Sequence, residues 1–207
     1  MNVLVLAPHP DDEAIGCGGT LCLHAEKGDH IAVVFLTSGE LGLKHLPKHE
    51  AWKIRETEAR VSARILGVHD LTFLRCRDWQ LEEDIPQAAE GLRPILGRER
   101  PQIIYLPHPQ EWHPDHKAAV PIARTCLEGL SLSPQLRAYE VWTPIPEHDD
   151  VVDITRVWER KLSALRAHTS QITQWPYERA ILGLNQFRGA MAGKCEFAEV
   201  FKTLATA

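Results

Sequence analysis

The chain lacks the features that mark membrane, secreted and disulfide-bonded proteins. No apolar run approaches the roughly 20 residues that span a bilayer, and no basic segment precedes the short apolar stretch "VLVLA" near the N-terminus. Its five cysteines are odd in number and scattered, without a C-x-x-C pair, so a disulfide framework is not indicated. These absences predict a cytoplasmic protein that has reduced thiols and no membrane partner.

An excess of basic residues is also missing. The chain has 23 lysines and arginines against 28 aspartates and glutamates, which gives a formal charge of −5. A general nucleic-acid binder needs a basic surface, so no nucleic-acid partner is expected. With 207 residues, of which 44% are hydrophobic, the chain can bury one sizeable core. We therefore expect a single domain over 1–207.

Apolar segments alternate with longer helical patterns along most of the chain. The runs "VLVLA", "IAVVFLT" and "QIIYLP" are apolar at consecutive positions, as in strands of a parallel sheet that helices cover on both faces. The order predicts a single-domain, Rossmann-like α/β fold with an open, mostly parallel sheet. The predicted strands are 3–7, 31–37, 70–74, 103–106 and 137–142, and the predicted helices are 14–27, 52–66, 85–98, 115–128 and 155–168. The part from 171 to 207 is expected to be irregular and packed on the domain.

Two histidine-proline segments follow predicted strands, "PHPDDE" at 8–13 and "HPDH" at 113–116. Ligands of open α/β sheets bind beyond the carboxyl ends of the strands, so the two segments should meet at one edge. Two histidines and a carboxylate make an open metal site that keeps a position for water, as in zinc hydrolases. The same set also suits non-haem iron. Each segment alone also fits a simpler interpretation, since acids favour the start of a helix and single histidines near strand ends are commonly surface residues.

The glycines after the first acidic segment allow two interpretations. Gly16, Gly18 and Gly19 suggest a dinucleotide-binding fingerprint, but its third glycine would fall at Leu21, and the preceding acids would repel a pyrophosphate. Close packing of a helix against the sheet is the favoured explanation. Cys17 is expected to be a small buried side chain, with a reactive thiol as the alternative.

Six segments together resemble one protein family. They are "PHPDDE", "TSGELG" at 37–42, "RETEARVSARILGV" at 55–68, "HPDH", "KLSALRAHTSQ" at 161–171 and "RGAMAGKCEFAEVF" at 188–201. This set resembles the PIG-L/LmbE-like N-deacetylases, which remove acetyl groups from N-acetylglucosamine conjugates. The resemblance runs from the first predicted strand to near the C-terminus, and it implies the LmbE-like variant of the α/β fold, a zinc cofactor and a homo-oligomer.

The resemblance implies a metal centre and a base. His9, Asp12 and His116 match the family's zinc ligands, although Fe²⁺ or another divalent metal would suit the same donors. Asp11 matches the general base that takes a proton from the attacking water. The neighbouring Glu13 is expected to lie outside the metal shell, as a helix-start acid or a hydrogen-bond acceptor.

The remaining roles concern the substrate. By the same resemblance, His113 stabilises the oxyanion in its charged form and helps to protonate the leaving amine, and Asp115 orients that ring. Arg55 and Asp78 match positions that grip sugar hydroxyls. Trp112 could stack on a sugar face or serve simple packing, and both interpretations stay open.

The chain departs from the family pattern at three places. Pro8 stands where alanine is usual, and Glu111 and Trp112 replace smaller residues before "HPDH", so we expect both larger side chains to reshape the rim of the pocket. His108 lies outside both motifs and is expected to be a bystander. The segment 43–51 is expected to be a solvated surface loop, with a lid over the site as the alternative.

The sequence thus predicts a metal-dependent hydrolase that removes the N-acetyl group from a small N-acetylglucosamine-type substrate. Three alternatives stay open. The first is an amidase that cleaves a larger acyl group from a thiol conjugate or antibiotic, and the second is a non-catalytic sugar- or metal-binding homologue. The third is a redox iron enzyme. The expected partner in the leading hypothesis is a small amino sugar.

Overall fold

The computed structural model describes residues 1–205, and its strands form one twisted sheet. The order of the seven strands in this part of the chain is β3-β2-β1-β4-β5-β7-β6. The strands are β1 (Asn2–Ala7), β2 (His30–Phe35), β3 (Asp70–Phe73), β4 (Ile103–Pro107), β5 (Gln135–Tyr139), β6 (Asp150–Asp153) and β7 (Ala198–Leu204). The first five are parallel to one another, whereas β7 is antiparallel to both β5 and β6. The prediction of an open, mostly parallel α/β sheet is confirmed.

Helices cover both faces of the sheet because its central strands are apolar on both sides. They are α1 (Asp12–Glu26), α2 (Lys48–Leu66), α3 (Ile85–Glu99), α4 (Pro114–Leu127), α5 (Trp158–Arg166), α6 (Thr169–Ile172) and α7 (Tyr177–Arg188). Along β1, Val3 and Val5 belong to a core formed with α1, α2, α5 and α7, and Leu4 and Leu6 belong to the core on the other face with α3 and α4. No helix within residues 1–205 is both long and apolar enough to cross a bilayer.

Helix α1 follows β1 after a four-residue turn and packs closely on the sheet. A Cβ atom added to Gly16 would lie 2.1 Å from Cδ2 of Tyr139, and one added to Gly19 would lie 2.6 Å from Cγ2 of Ile154. Neither position has room for a methyl group. These contacts confirm the packing explanation for Gly16 and Gly19, and the close packing of α1 brings the acidic segment to the carboxyl edge of the sheet.

The prediction of an irregular part from 171 to 207 is wrong for most of its described residues. The part holds α7, a short π-helical turn at Gly189–Gly193 and β7, which pairs between β5 and β6. The buried residues of α7 are Tyr177, Ile181, Asn185 and Arg188. Two of the four are polar. The buried residues therefore follow the period of a helix, but the apolar residues of the sequence do not.

A buried ion pair ties the C-terminal elements to α1. The Nζ atom of Lys161 in α5 lies 2.7 Å from Oε1 of Glu199 in β7 and donates to Oδ1 of Asn185 in α7 at 2.9 Å. Glu199 also accepts the backbone N–H groups of Gly19 and Thr20 in α1, each at 2.8 Å. Because every group in this cluster has a partner, its burial is tolerated, and the helix that carries the acidic segment is held in place.

Candidate active site

A cavity of about 650 Å³ opens where the parallel strands end. Seven of the nine predicted site residues line it: His9, Asp11, Asp12, Arg55, Asp78, Trp112 and His113. The other two, Asp115 and His116, have no exposed surface and lie behind its wall. The structure therefore brings all nine predicted residues to one place, from segments that follow β1, β3 and β4 and from α2.

Three donor atoms at the bottom of this site form a triangle. Nδ1 of His9 lies 3.3 Å from Oδ2 of Asp12, Nε2 of His116 lies 3.3 Å from the same oxygen, and the two ring nitrogens are 3.3 Å apart. Ligands that bind a tetrahedral ion with bonds of about 2.0–2.1 Å lie roughly 3.3 Å from one another. The donor set and its spacing thus fit a divalent metal with a further position open.

Other nitrogen and oxygen atoms nearby already have different partners. His113 has a ring nitrogen within 4.8 Å of those of His9 and His116, but its Nδ1 accepts the N–H of Asp115 at 3.2 Å as the cap of α4. On the far side of the His9 ring, Nε2 lies 3.0 Å from Oδ2 of Asp115 and 3.2 Å from Oδ1 of Asp78. A carboxylate behind the ring fixes its orientation and leaves Nδ1 for a metal.

His116 has a carboxylate behind it as well, and the sequence did not reveal its role. Oε2 of the fully buried Glu111 lies 3.6 Å from Nδ1 of His116. The other oxygen of Glu111 accepts the N–H groups of Val141, Trp142 and Thr143. The expectation that Glu111 reshapes the rim is therefore wrong. Its side chain points inward, because three backbone donors of the neighbouring loop bind it, and only the structure shows that contact.

Asp11 combines a strained backbone with a buried carboxyl group. Its φ of 120° lies in a region that non-glycine residues rarely adopt. Burial is the largest influence on its carboxyl group and raises the pKa to about 6, and the positive charge of Arg55 opposes this rise. Nη2 of Arg55 lies 3.5 Å from Oδ2 of Asp11. The carboxyl group is thus poised to exchange a proton near neutral pH.

Glu13 holds the backbone of Asp11 from behind. Its Oε2 accepts the N–H of Asp11 at 3.0 Å, and its Oε1 accepts the hydroxyl of Ser62 at 3.1 Å. Nε2 of the buried His168 lies 3.3 Å from the same Oε1. These contacts agree with the expectation that Glu13 is a hydrogen-bond acceptor outside the metal shell.

His113 faces the cavity between charged neighbours. Its ring centroid is 4.8 Å from that of His9, 5.0 Å from that of His116 and 4.3 Å from that of Trp79. Burial, followed by the positive charges of His9 and His116, lowers its pKa to about 4. Burial and these neighbours therefore disfavour the expected charged form of His113. Because Nδ1 accepts a hydrogen bond, the proton of the neutral ring is on Nε2.

Asp115 contacts different groups from those expected. Its Oδ2 accepts the N–H of Trp79 at 2.7 Å, and its Oδ1 accepts the N–H of Leu81 at 3.0 Å, in addition to its contact with His9. Only its backbone N–H reaches His113. The prediction that its carboxylate orients His113 thus differs from the contacts, because the loop after β3 and His9 occupy both oxygens.

Arg55 and Asp78 both contribute to the wall of the cavity. The guanidinium of Arg55 donates to the carbonyl groups of Pro10 and Gly39 and is almost fully buried. Its Nε has no hydrogen-bond partner within residues 1–205. Oδ2 of Asp78 accepts the N–H of Leu41 at 2.8 Å. Although burial opposes it, the hydrogen bond with His9 lowers the pKa of Asp78 to about 2, so this carboxylate is ionised.

Three further tryptophans at the cavity escaped the sequence analysis. Trp79, Trp142 and Trp175 line it together with the predicted Trp112. They come from separate loops without a shared motif, so the only available signal was the number of tryptophans. Segment 43–51 is mostly exposed, as expected of a surface loop. Its first residues reach the cavity, which Lys44 and His45 line, and its last residues begin α2.

Two residues near the site have structural roles. Cys17 is fully buried, and burial raises the pKa of its thiol well above the ordinary value, so the interpretation as a small buried side chain is supported. Nε2 of His108 lies 2.7 Å from the carbonyl oxygen of Thr143. This contact fixes the loop after β5 and agrees with the expectation that His108 is a bystander.

Comparisons with known proteins identify relatives that align with most of the chain. The family model PIG-L, described as GlcNAc-PI de-N-acetylase, matches residues 4–127. The diacetylchitobiose deacetylase of Thermococcus kodakarensis is 31% identical over 218 aligned positions, which cover 93% of this chain and 79% of that protein. A Bacillus cereus protein named "Probable N-acetyl-alpha-D-glucosaminyl L-malate deacetylase 2" is 31% identical, with 82% of this chain and 83% of that protein covered.

A solved structure extends the similarity to the fold. The N,N'-diacetylchitobiose deacetylase of Pyrococcus horikoshii, in complex with its inhibitor MPG, superimposes with a TM-score of 0.81 at 31% identity. The match covers 99% of this chain and 84% of that one. The family model covers more than half of the chain, and the relatives align over most of their length. The chain therefore belongs to the PIG-L family of de-N-acetylases.

Proposed function

We propose that this protein is a metal-dependent hydrolase that removes the N-acetyl group from a small substrate containing N-acetylglucosamine. The observation that carries the proposal is the juxtaposition of two adjacent carboxylates with different surroundings. Asp12 points into the triangle with His9 and His116, whereas the Asp11 carboxyl group lies beside Arg55. One carboxylate can hold a cation while its neighbour exchanges protons.

The residues fit zinc, which commonly binds two histidines and one carboxylate in hydrolases. When bound, a divalent cation supplies Lewis acidity that polarises an amide carbonyl and acidifies a water molecule. His9, Asp12 and His116 would hold it. Fe²⁺ suits the same donors, so the choice of zinc is tested by metal content and by activity with each ion.

Asp11 acts as the base in this proposal. Its carboxylate accepts a proton from the attacking water, and its pKa of about 6 lets it return that proton to the leaving amine at neutral pH. Arg55 keeps the carboxyl group ionised before the reaction. Amine protonation by His113 stays a prediction of the family resemblance, and burial, which lowers the pKa of its ring to about 4, favours Asp11 as the proton donor.

His113 stabilises the developing oxyanion as a neutral donor. Its Nδ1 accepts the N–H of Asp115, so Nε2 carries the proton and can donate to the amide oxygen as negative charge forms. A single donor of this kind contributes about 3–4 kcal/mol to the transition state in other hydrolases. Arg55, Asp78 and Trp112, which line the cavity, are proposed to hold the sugar.

The test is acetate release by metal-loaded protein from N-acetylglucosamine and from its malate, inositol and chitobiose forms. We expect activity on at least one of them, and a loss of about 10²- to 10⁴-fold in the D11N variant. The D149N variant is the matched control, since Asp149 pairs with Lys202 on the exposed surface. A full rate in D11N, or in metal-free protein, would contradict the proposed mechanism.

The same assay separates the alternative amidase. Glucosamine carrying acyl groups of increasing length is compared with the acetylated sugar, and a preference for the longer groups would favour the amidase. No turnover of any amide by metal-loaded protein would favour a binding protein, and oxygen uptake with bound iron would favour a redox enzyme.

Two further proposals concern the setting of the protein. We propose a cytoplasmic location, which the five free cysteines support. We also propose a homo-oligomer, on the basis of the family resemblance alone. Light scattering of the purified protein tests the second, and a monomeric mass would reject it.

A further inference from the structure

His168 is a buried histidine to which the proposed mechanism assigns no role. It belongs to the segment 161–171 and lies in the turn between α5 and α6, with no exposed surface. Its N–H donates to the carbonyl of Leu165 at 3.0 Å, and its own carbonyl accepts the N–H groups of Gln171 and Ile172. The backbone of this turn is therefore fixed, and its ring lies against the first turn of α1.

The ring makes its one side-chain hydrogen bond in the described part of the chain with Glu13. Nε2 of His168 lies 3.3 Å from Oε1 of Glu13, and because an ionised carboxylate only accepts, Nε2 is the donor. Nδ1 is buried and has no hydrogen-bond partner within residues 1–205. A buried nitrogen without a partner costs free energy, so packing alone would favour an apolar side chain here. The contact with Glu13 is the property that an apolar side chain would lack.

Glu13 connects this ring to the proposed base. Its Oε2 accepts the N–H of Asp11 at 3.0 Å, and its Oε1 accepts the hydroxyl of Ser62 at 3.1 Å in addition to His168. A carboxylate with partners on both oxygens cannot turn without losing some of them. The backbone of Asp11 has a φ of 120°, a conformation that persists only where the surroundings hold it. Two hydrogen bonds thus join His168 to the strained backbone of Asp11.

The simplest alternative is that His168 only docks α5 on α1, but these helices already have a stronger contact. Nζ of Lys161 donates to the carbonyl of Ile15 at 2.8 Å and lies 2.7 Å from Oε1 of Glu199. Hydrogen bonds of a charged group are stronger than those between neutral groups. His168 is also not one of the residues that line the cavity, so it does not contact a bound substrate. Its contacts leave the orientation of Glu13 as its effect on the site.

We propose that His168 is a positioning residue, which orients Glu13 and through it the carboxyl group of Asp11. The inference rests on the proposed function for the role of Asp11 as the base. It goes further by assigning a role in catalysis to the turn between α5 and α6, which lies 155 residues from Glu13 along the chain. It predicts that loss of the ring lowers kcat and leaves KM and zinc content unchanged.

The test compares three substitutions that differ in where they place a donor. The amide nitrogen of a glutamine reaches about the position of Nε2, that of an asparagine reaches about the position of Nδ1, and leucine has no donor. We expect H168L and H168N to lose about tenfold or more of kcat by misplacing Asp11, and H168Q to keep most of it. Steady-state acetate release and metal analysis measure kcat, KM and zinc content for each variant.

A double-mutant cycle shows whether His168 acts through Glu13. If it does, H168L/E13Q should have about the same kcat as E13Q alone, because the connection to Asp11 is already broken. H168N takes the place of H168L in this cycle if the leucine variant does not fold. H49Q is the matched control, since the side chain of His49 on α2 is 79% exposed, and it should retain the full rate. Full kcat in H168L, equal losses in H168Q and H168N, or losses that multiply in the double variant would overturn the inference.

A crystal structure of the zinc-loaded H168L or H168N variant separates this inference from the proposed function. If wild type releases no acetate, the function is wrong, and the position of Asp11 decides the inference. Loss of its hydrogen bond to Glu13 with a turned carboxyl group would support positioning by His168, and an unmoved Asp11 would overturn it. If wild type releases acetate and H168L does so at the full rate, the function is supported and the role of His168 is rejected.

Discussion

Asp11 has the most strained backbone at the site, and a hydrogen bond to one neighbouring side chain holds it in this conformation. A non-glycine residue at a φ of 120° costs about 1–3 kcal/mol. The hydrogen bond from its N–H to buried Glu13 is one contact that holds it there. Strain of this kind is typical of residues whose side chain must point in one direction, and here that side chain is the proposed base.

Glu13 is therefore predicted to act as a positioning residue. In E13Q, an amide NH₂ group replaces one of the two oxygens that face Asp11, Ser62 and His168. The new donor then faces donors already present, and one hydrogen bond is lost. We expect kcat to fall about 10- to 100-fold through misplacement of Asp11, with zinc content unchanged. Steady-state kinetics and metal analysis measure both. E26Q, at the exposed end of the same helix, is the control. Loss of metal together with rate would instead place Glu13 in the metal site.

Asp115 allows a test between its expected and its observed contacts. Because its carboxylate lies 3.0 Å from Nε2 of His9, D115N should weaken zinc binding about 10- to 100-fold. Competition with a chromogenic chelator measures the affinity. If Asp115 acted mainly on His113, the variant would keep its affinity and lose only rate.

At the scale of elements, the close contact between α1 and the sheet sets the position of the acidic segment. G16A would place a methyl group 2.1 Å from Tyr139 and should destabilise the protein by about 1–3 kcal/mol. Gly183 in α7 has no atom within 4 Å of the added Cβ, so G183A should stabilise by about 0.5–1 kcal/mol. Urea denaturation of both variants measures the difference. An unchanged midpoint for G16A would refute the packing explanation.

The elements also show what the sequence could and could not predict. Strands β1, β2 and β4 and helix α1 were predicted because their apolar runs and flanking motifs are local. Helix α7 was missed because Asn185 and Arg188 occupy half of its buried face. The role of Glu111 was missed for a related reason, since its three donors come from a loop about 30 residues away.

For the molecule as a whole, the Lys161–Glu199 pair joins helix α5 to the antiparallel strand β7. Both side chains are almost completely buried. K161M would leave Glu199 as an unpaired charge and should destabilise by about 3–5 kcal/mol. Thermal unfolding measures the loss, and K161M/E199Q should recover part of it. A change below about 1 kcal/mol in K161M would show that the pair is not needed to hold α1.

The arrangement of the whole site was predictable in part, because parallel strands bring their following loops to one edge. That rule and two motifs were sufficient to place His9 near His116. The loop after β3, which brings Trp79 to His113 and its N–H to Asp115, has no motif that reports its partners. Of the four tryptophans at the cavity, Trp79, Trp142 and Trp175 lie in such loops, so their grouping became visible only in the folded molecule.

The adjacent Asp11 and Asp12 are proposed to have separate roles, and a comparison of three proteins tests this division. Zinc content and acetate release are measured together for wild type, D11N and D12N. We expect D11N to keep its zinc and lose about 10²-fold or more of its rate, and D12N to lose its zinc because one of three ligands becomes a weak one. Loss of zinc in D11N, or full zinc content in D12N, would contradict it.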